Sequence, residues 1–86
     1  MKYVAIWEYD SENEAKVISK FKSLPDFGIK RLSPPYCILG QKKGFSIIEA
    51  ENPEQIEEFT HYYVDVLDFE ILPLIEVTKA VQIREK

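Results

Sequence analysis

The sequence predicts an α+β fold, a four-stranded antiparallel sheet with two helices on one face. Three observations predict it. Four segments carry the β-branched and aromatic residues of strands, and two carry amphipathic helical stripes, in the order β-α-β-β-α-β. Both helical stripes open on residues that start helices, and a proline stops the first. Among the strand segments, prolines fall only on the second and the fourth.

The first strand runs from Lys2 to Tyr9, with Tyr3, Ala5, Trp7 and Tyr9 on one face and Val4 and Ile6 on the other. Both faces are apolar until Glu8, so this strand is covered on both sides. Asp10-Ser11 opens the first helix, and Ser11 with Glu14 has capping-box spacing. Val17, Ile18, Phe21 and Leu24 form its apolar stripe, and Pro25 stops it. Asp26-Phe27-Gly28 turns the chain into a second strand, Ile29–Leu32, interrupted by Pro34-Pro35 and resumed as Tyr36–Leu39. The turn-rich Gly40–Gly44 joins it as a hairpin to the third strand, Phe45–Ala50.

Asn52-Pro53-Glu54-Gln55 is the strongest local signal in the chain. Asparagine is a favoured cap, proline suits the first helical position, and glutamine stands at cap-plus-three. The second helix carries Ile56, Phe59, Tyr63 and Val66 within an arc of about 80°. The fourth strand spans Phe69–Val77 and contains Pro73. Residues 78–86 form a short helix or a frayed tail. The element order is that of the ferredoxin-like arrangement, whose sheet order 4-1-3-2 puts both proline-bearing strands at edges.

The 86 residues suit one domain, 1–86. A hydrophobic share of 45% against 30% charged is a globular balance. A net charge of −4 argues against non-specific binding to nucleic acid or anionic membrane. One cysteine makes no internal disulfide, no apolar run approaches the roughly 20 residues of a membrane span, and Glu8 interrupts any signal-peptide core. A cytoplasmic protein is the expectation.

Two helices cover one face of such a sheet, yet the other face is also apolar. The third strand carries Phe45 and Ile47 one way and Ile48 and Ala50 the other. The fourth carries Phe69, Ile71 and Ile75 one way and Leu72 and Leu74 the other. The expectation is a homodimer through the helix-free sheet face, burying at least roughly 1,600 Å² in total.

Trp7, Gly44-Phe45, Glu49-Ala50 with Pro53 close behind, and Leu67-Asp68-Phe69-Glu70-Ile71-Leu72-Pro73 carry a family resemblance. Over roughly residues 3–77 the chain resembles the dimeric α/β-barrel superfamily, and within it the uncharacterised family DUF3303. The Pro34-Pro35-Tyr36-Cys37 stretch departs from that family's pattern. The resemblance implies a ferredoxin-like subunit and a dimer, and it brings no established activity. Superfamily relatives include monooxygenases of aromatic polyketides, haem-degrading enzymes, ligand-sensing domains and stress proteins, so fold alone does not choose.

No catalytic constellation, phosphate loop or zinc spacing occurs, and no cofactor or metal is expected. His61, the sole histidine, lies about 180° from the apolar stripe of its helix, among Glu54, Glu57, Glu58 and Asp65. That is a solvated acidic face. Cys37 is alone. Glu49, Glu51, Glu54, Glu57 and Glu58 lack the loop spacing of a calcium site. The candidate ligand site is aromatic: Tyr3 and Trp7 around the small Ala5, with Phe45 and Ile47 as neighbours and Glu49 near the rim. If this face looks into the barrel, such a hollow suits a flat, partly apolar small aromatic molecule; if it packs on the two helices instead, Trp7 is plain core. The leading expectation is a binding or structural role in a homodimer. The alternatives are a cofactor-free monooxygenase-like enzyme on an aromatic or quinone-like substrate, and a protein-interaction module using the open sheet face.

Overall fold

A computed structural model describes all 86 residues, Met1–Lys86. Its elements are β1 (Lys2–Glu8), a 3-10 turn (Ser11–Asn13) leading into α1 (Glu14–Lys22), β2 (Lys30–Arg31), β3 (Tyr36–Cys37), β4 (Lys43–Glu49), α2 (Pro53–Tyr62), β5 (Asp68–Pro73) and α3 (Val77–Arg84). They make an α+β fold around one antiparallel sheet with the order β2-β4-β1-β5, and β3 pairs with β4 beside β2.

The sheet has five strands where four were expected. The interrupted second strand is two separate two-residue strands, β2 and β3, on the same edge of β4. Pro34-Pro35 offers no N–H across the gap. Ser33 bridges it: its Oγ accepts the Ile47 N–H at 2.9 Å, while the Leu32 N–H donates to the Ile47 carbonyl at 2.9 Å. β5 is the opposite edge and ends at Pro73, short of the expected Val77. Leu74 extends the pairing by one bond, its N–H donating to the Lys2 carbonyl at 2.9 Å. The chain then turns into α3, which settles the choice between helix and frayed tail.

At the start of α1 the expected capping box does not form. Neither Asp10 nor Asn13 caps with its side chain, and the chain tightens into a 3-10 turn in which the Asn13 N–H donates to the Asp10 carbonyl. α2 begins as its sequence specifies. Asn52 Oδ1 accepts the Gln55 N–H at 3.1 Å, and Gln55 Oε1 accepts the Glu51 N–H at 2.7 Å. Gln55 Nε2 also donates to the Gly28 carbonyl at 3.3 Å, tying the helix to the turn before β2.

Cross-strand partners share a face. Ala5 stands opposite Ser46 and Ile71, Trp7 opposite Gly44 and Phe69, and Tyr3 opposite Ile48. Ala5, Ser46 and Ile48 are buried, so this is the face beneath the helices. Val17, Tyr63, Val66 and Leu67 form the core cluster above it, with Trp7, Tyr9, Leu24, Phe59, Tyr62 and Phe69 packed around. α1 and α2 are fastened reciprocally. Lys20 Nζ donates to the Tyr62 carbonyl at 2.9 Å, and the Tyr62 hydroxyl donates to the Lys20 carbonyl at 2.8 Å. Only 9 of 86 residues are buried, so the two helices roof the sheet without closing down on it.

A cavity between the sheet and the helix roof

The space beneath that roof is a cavity of about 410 Å³. Its floor is Trp7, Ser46, Ile48 and Phe69 on the three longest strands, and its roof includes Val17, Ile18, Phe21, Phe59 and Tyr63. Arg31, Pro35 and Cys37 close the side under the broken edge strand. Twelve of the 16 lining residues are hydrophobic, so a molecule held here meets mostly apolar surface. The hollow has a local cause. Ser46, a small residue on the central strand β4, lies in the floor and leaves space among the large rings that line the cavity.

Trp7 is fixed by Gly44. A Cβ at Gly44 would collide with the Trp7 indole and with the Tyr36 carbonyl oxygen, so only glycine lets the ring lie across β4. Behind Trp7 stands an aromatic wall: Phe59 and Phe69 have ring centroids 5.0 Å apart, and Tyr63 meets Phe69 edge-on at 5.6 Å.

Two tyrosines on the lining have perturbed hydroxyls. Burial, more than the neighbouring Tyr62, pushes Tyr63 up to about 12. Burial raises Tyr9 as well, helped by the nearby Glu14 carboxylate. The folded chain therefore keeps the Tyr63 proton above pH 10, where an unfolded tyrosine releases it. Stability from this source is complete below pH 10 and is lost as pH rises toward 12. Tyr63→Phe is expected to flatten the alkaline part of the stability curve relative to wild type, measured by urea unfolding between pH 9 and about 11.5.

The sequence-predicted site residues divide between the two faces. Trp7 lines the cavity, and Tyr3 lies on the same sheet face, half-buried, outside the lining. Phe45, Ile47 and Glu49 lie on the opposite, helix-free face with Val4 and Ile6, because β4 turns Gly44, Ser46 and Ile48 toward the helices. Phe45 and Ile47 are thus not neighbours of Trp7, and Glu49 is not at the cavity rim. Arg31, Lys22 and Phe59 were not grouped with Trp7 by sequence reasoning. Phe59 could have been found from the apolar stripe of α2, which faces the sheet; Arg31 and Lys22 carried no such signal.

His61 is exposed on α2. His61→Ala is expected to change unfolding free energy by no more than about 0.5 kcal/mol, checked by denaturant melts. Cys37 is a free, exposed thiol at the cavity's side. No group of three or more His, Cys, Asp or Glu residues is placed to hold a metal ion. No helix is long and apolar enough to cross a membrane.

The family described as "Domain of unknown function (DUF3303)" matches over residues 1–86. No curated protein matches the chain.

Proposed function

The chain belongs to the DUF3303 family, and we propose that it is a small-molecule-binding protein that works as a homodimeric α/β barrel. In this reading β2 and β3 together are the one broken edge strand of a ferredoxin-like subunit. The observation that carries the binding role is the apolar cavity beneath the helices, of a size that suits a flat molecule of one or two rings. The lining has no histidine and no carboxylate, and Tyr63 holds its proton across the physiological range. That favours binding over acid–base catalysis on a quinone-like substrate.

The homodimer is supported by the helix-free face. Val4 stands between Ile47 and Leu72, Ile6 stands beside Phe45, and Tyr36 stacks on Phe45 with centroids 5.6 Å apart. Phe45, Leu72 and Tyr36 are 37%, 42% and 50% exposed, which leaves an apolar sheet surface for a second copy to cover. α3 supports the same reading. It buries no residue, and Val77 and Ile83 are 77% and 60% exposed. The radius of gyration is 14.6 Å, against about 12 Å for a compact chain of this length. A helix held away from its own body is suited to clasp a partner.

The binding role is tested by titrating quinones and other flat aromatics against the fluorescence of Trp7, the sole tryptophan. The reading requires a saturable change with at least one of them. No response across the series, with the fold intact, would refute it.

A further inference from the structure

We propose that the ligand of this cavity is an apolar carboxylate: a flat hydrophobic body under the helices with its anionic end at Arg31 and Lys22. This rests on the binding role proposed above and adds the chemical class. The chain has 15 acidic and 11 basic side chains. The charged groups that line the cavity are nonetheless only Lys22 and Arg31. Both also border the shallower depression of about 440 Å³ alongside it, so the two cations mark the side where the cavity meets solvent.

Neither cation is neutralised by the chain. The protein's one ion pair joins Lys2 to Glu76, on β1 and at the start of α3. Asp26 and Glu14 are already placed otherwise. Asp26, on the outer depression, accepts the Gly28 N–H at 2.7 Å and so caps its own turn. Glu14 acts on Tyr9 and is outside the lining. Arg31 is also held: its guanidinium lies 5.6 Å over the Phe21 ring, itself a lining residue. Its backbone is fixed by pairing with Ile48 on the cavity floor. An arginine steadied on an aromatic face presents its planar fork to a carboxylate with less motion to lose. An apolar body matches the rings, and a single negative end matches the mouth. A neutral molecule would leave that charge unused, and a cation would be repelled by it.

Calorimetry with 1-naphthoate and its neutral analogue 1-naphthamide tests this on the full chain. The carboxylate is expected to bind at least about tenfold more tightly in low salt, with the advantage shrinking as salt rises. Arg31→Ala should remove most of that advantage, read as the ratio of the two probes' affinities on the same variant. Arg31 is exposed, so the variant is expected to fold, which circular dichroism checks. Arg31→Lys, which keeps the charge, should retain part of the preference. Equal binding of both probes to the wild type would overturn the carboxylate assignment and leave the binding role standing. A preference for the carboxylate that survives Arg31→Ala combined with Lys22→Ala would overturn the assignment of the mouth. Binding of neither probe would overturn the carboxylate assignment, and the fluorescence series with uncharged aromatics then decides the binding role separately.

Discussion

Ile47→Lys is expected to abolish assembly and, with it, most of the folded population at micromolar concentration. Ile47 lies on the helix-free face, paired with Val4 and next but one to Phe45 along β4. In the proposed dimer it sits inside the sheet-to-sheet contact. A lysine there must leave its ammonium unpaired between two apolar sheets or hold the sheets apart, and each outcome is costly on both copies. The chain has few buried residues of its own. An isolated copy therefore has little with which to stay folded, and where a homodimer is obligate the monomer often has no stable fold. Light scattering coupled to size exclusion, with circular dichroism on the same fractions, reads both consequences. Ile48→Lys is a different experiment, because Ile48 is 2% exposed and lies under the helices. It would break the core whatever the assembly state. An Ile47→Lys chain that keeps the wild-type mass would show that this face is not the interface.

Gly44→Ala is the second large effect. The added methyl meets the Trp7 ring on one side and the Tyr36 carbonyl on the other. The carbonyl belongs to the backbone of β3, so it cannot swing aside as a side chain end would. Either β3 separates from β4 or Trp7 leaves its place on the cavity floor. Overpacking costs about 1–3 kcal/mol, and the upper end applies here because two neighbours must move. For a domain of this size that lowers the melting temperature by roughly 4–8 °C per kcal/mol. The tryptophan emission should change in the folded variant, since the indole is the group displaced. An unchanged melting temperature and spectrum would mean that Trp7 is not held against β4 as described.

Local chemistry was legible where one residue type decides the outcome. Asn52-Pro53 with Gln55 started α2 as written, and the prolines marked the two sheet edges. The same prolines did more than was expected of them, since Pro34-Pro35 cut one edge strand into two. Ser11 with Glu14 had the right spacing and made no cap, because a 3-10 turn took up the first turn of the helix. The candidate site was legible only in part. The Trp7 hollow was expected on a face turned away from the helices, with Trp7 as plain core otherwise; Trp7 lies under the helices, and the cavity found there includes Trp7 but not Ala5 in its lining. Its other wall was misassigned because β4 is apolar in both parities: Phe45 and Ile47 are as hydrophobic as Ile48 and Ala50. Which set turns inward depends on the register of β4 against β1, fixed by pairing residues about forty positions apart. No local pattern contains that information. Ser46, a polar residue on the buried face, sits opposite Ala5 and makes the space, and only the register shows it.

The central claim is that a ligand enters beneath the helices and does not settle on the exposed sheet face, which is also apolar. Amide and indole chemical-shift mapping of the ¹⁵N-labelled chain, titrated in turn with 1-naphthoate and 1-naphthamide, tests it directly. Saturable shifts are predicted at the Trp7 indole N–H and at the amides of Val17, Phe59 and Tyr63, with Val4, Ile6, Phe45 and Ile47 unmoved. Shifts centred on those last four residues, or no saturable shift with either probe, would contradict the account.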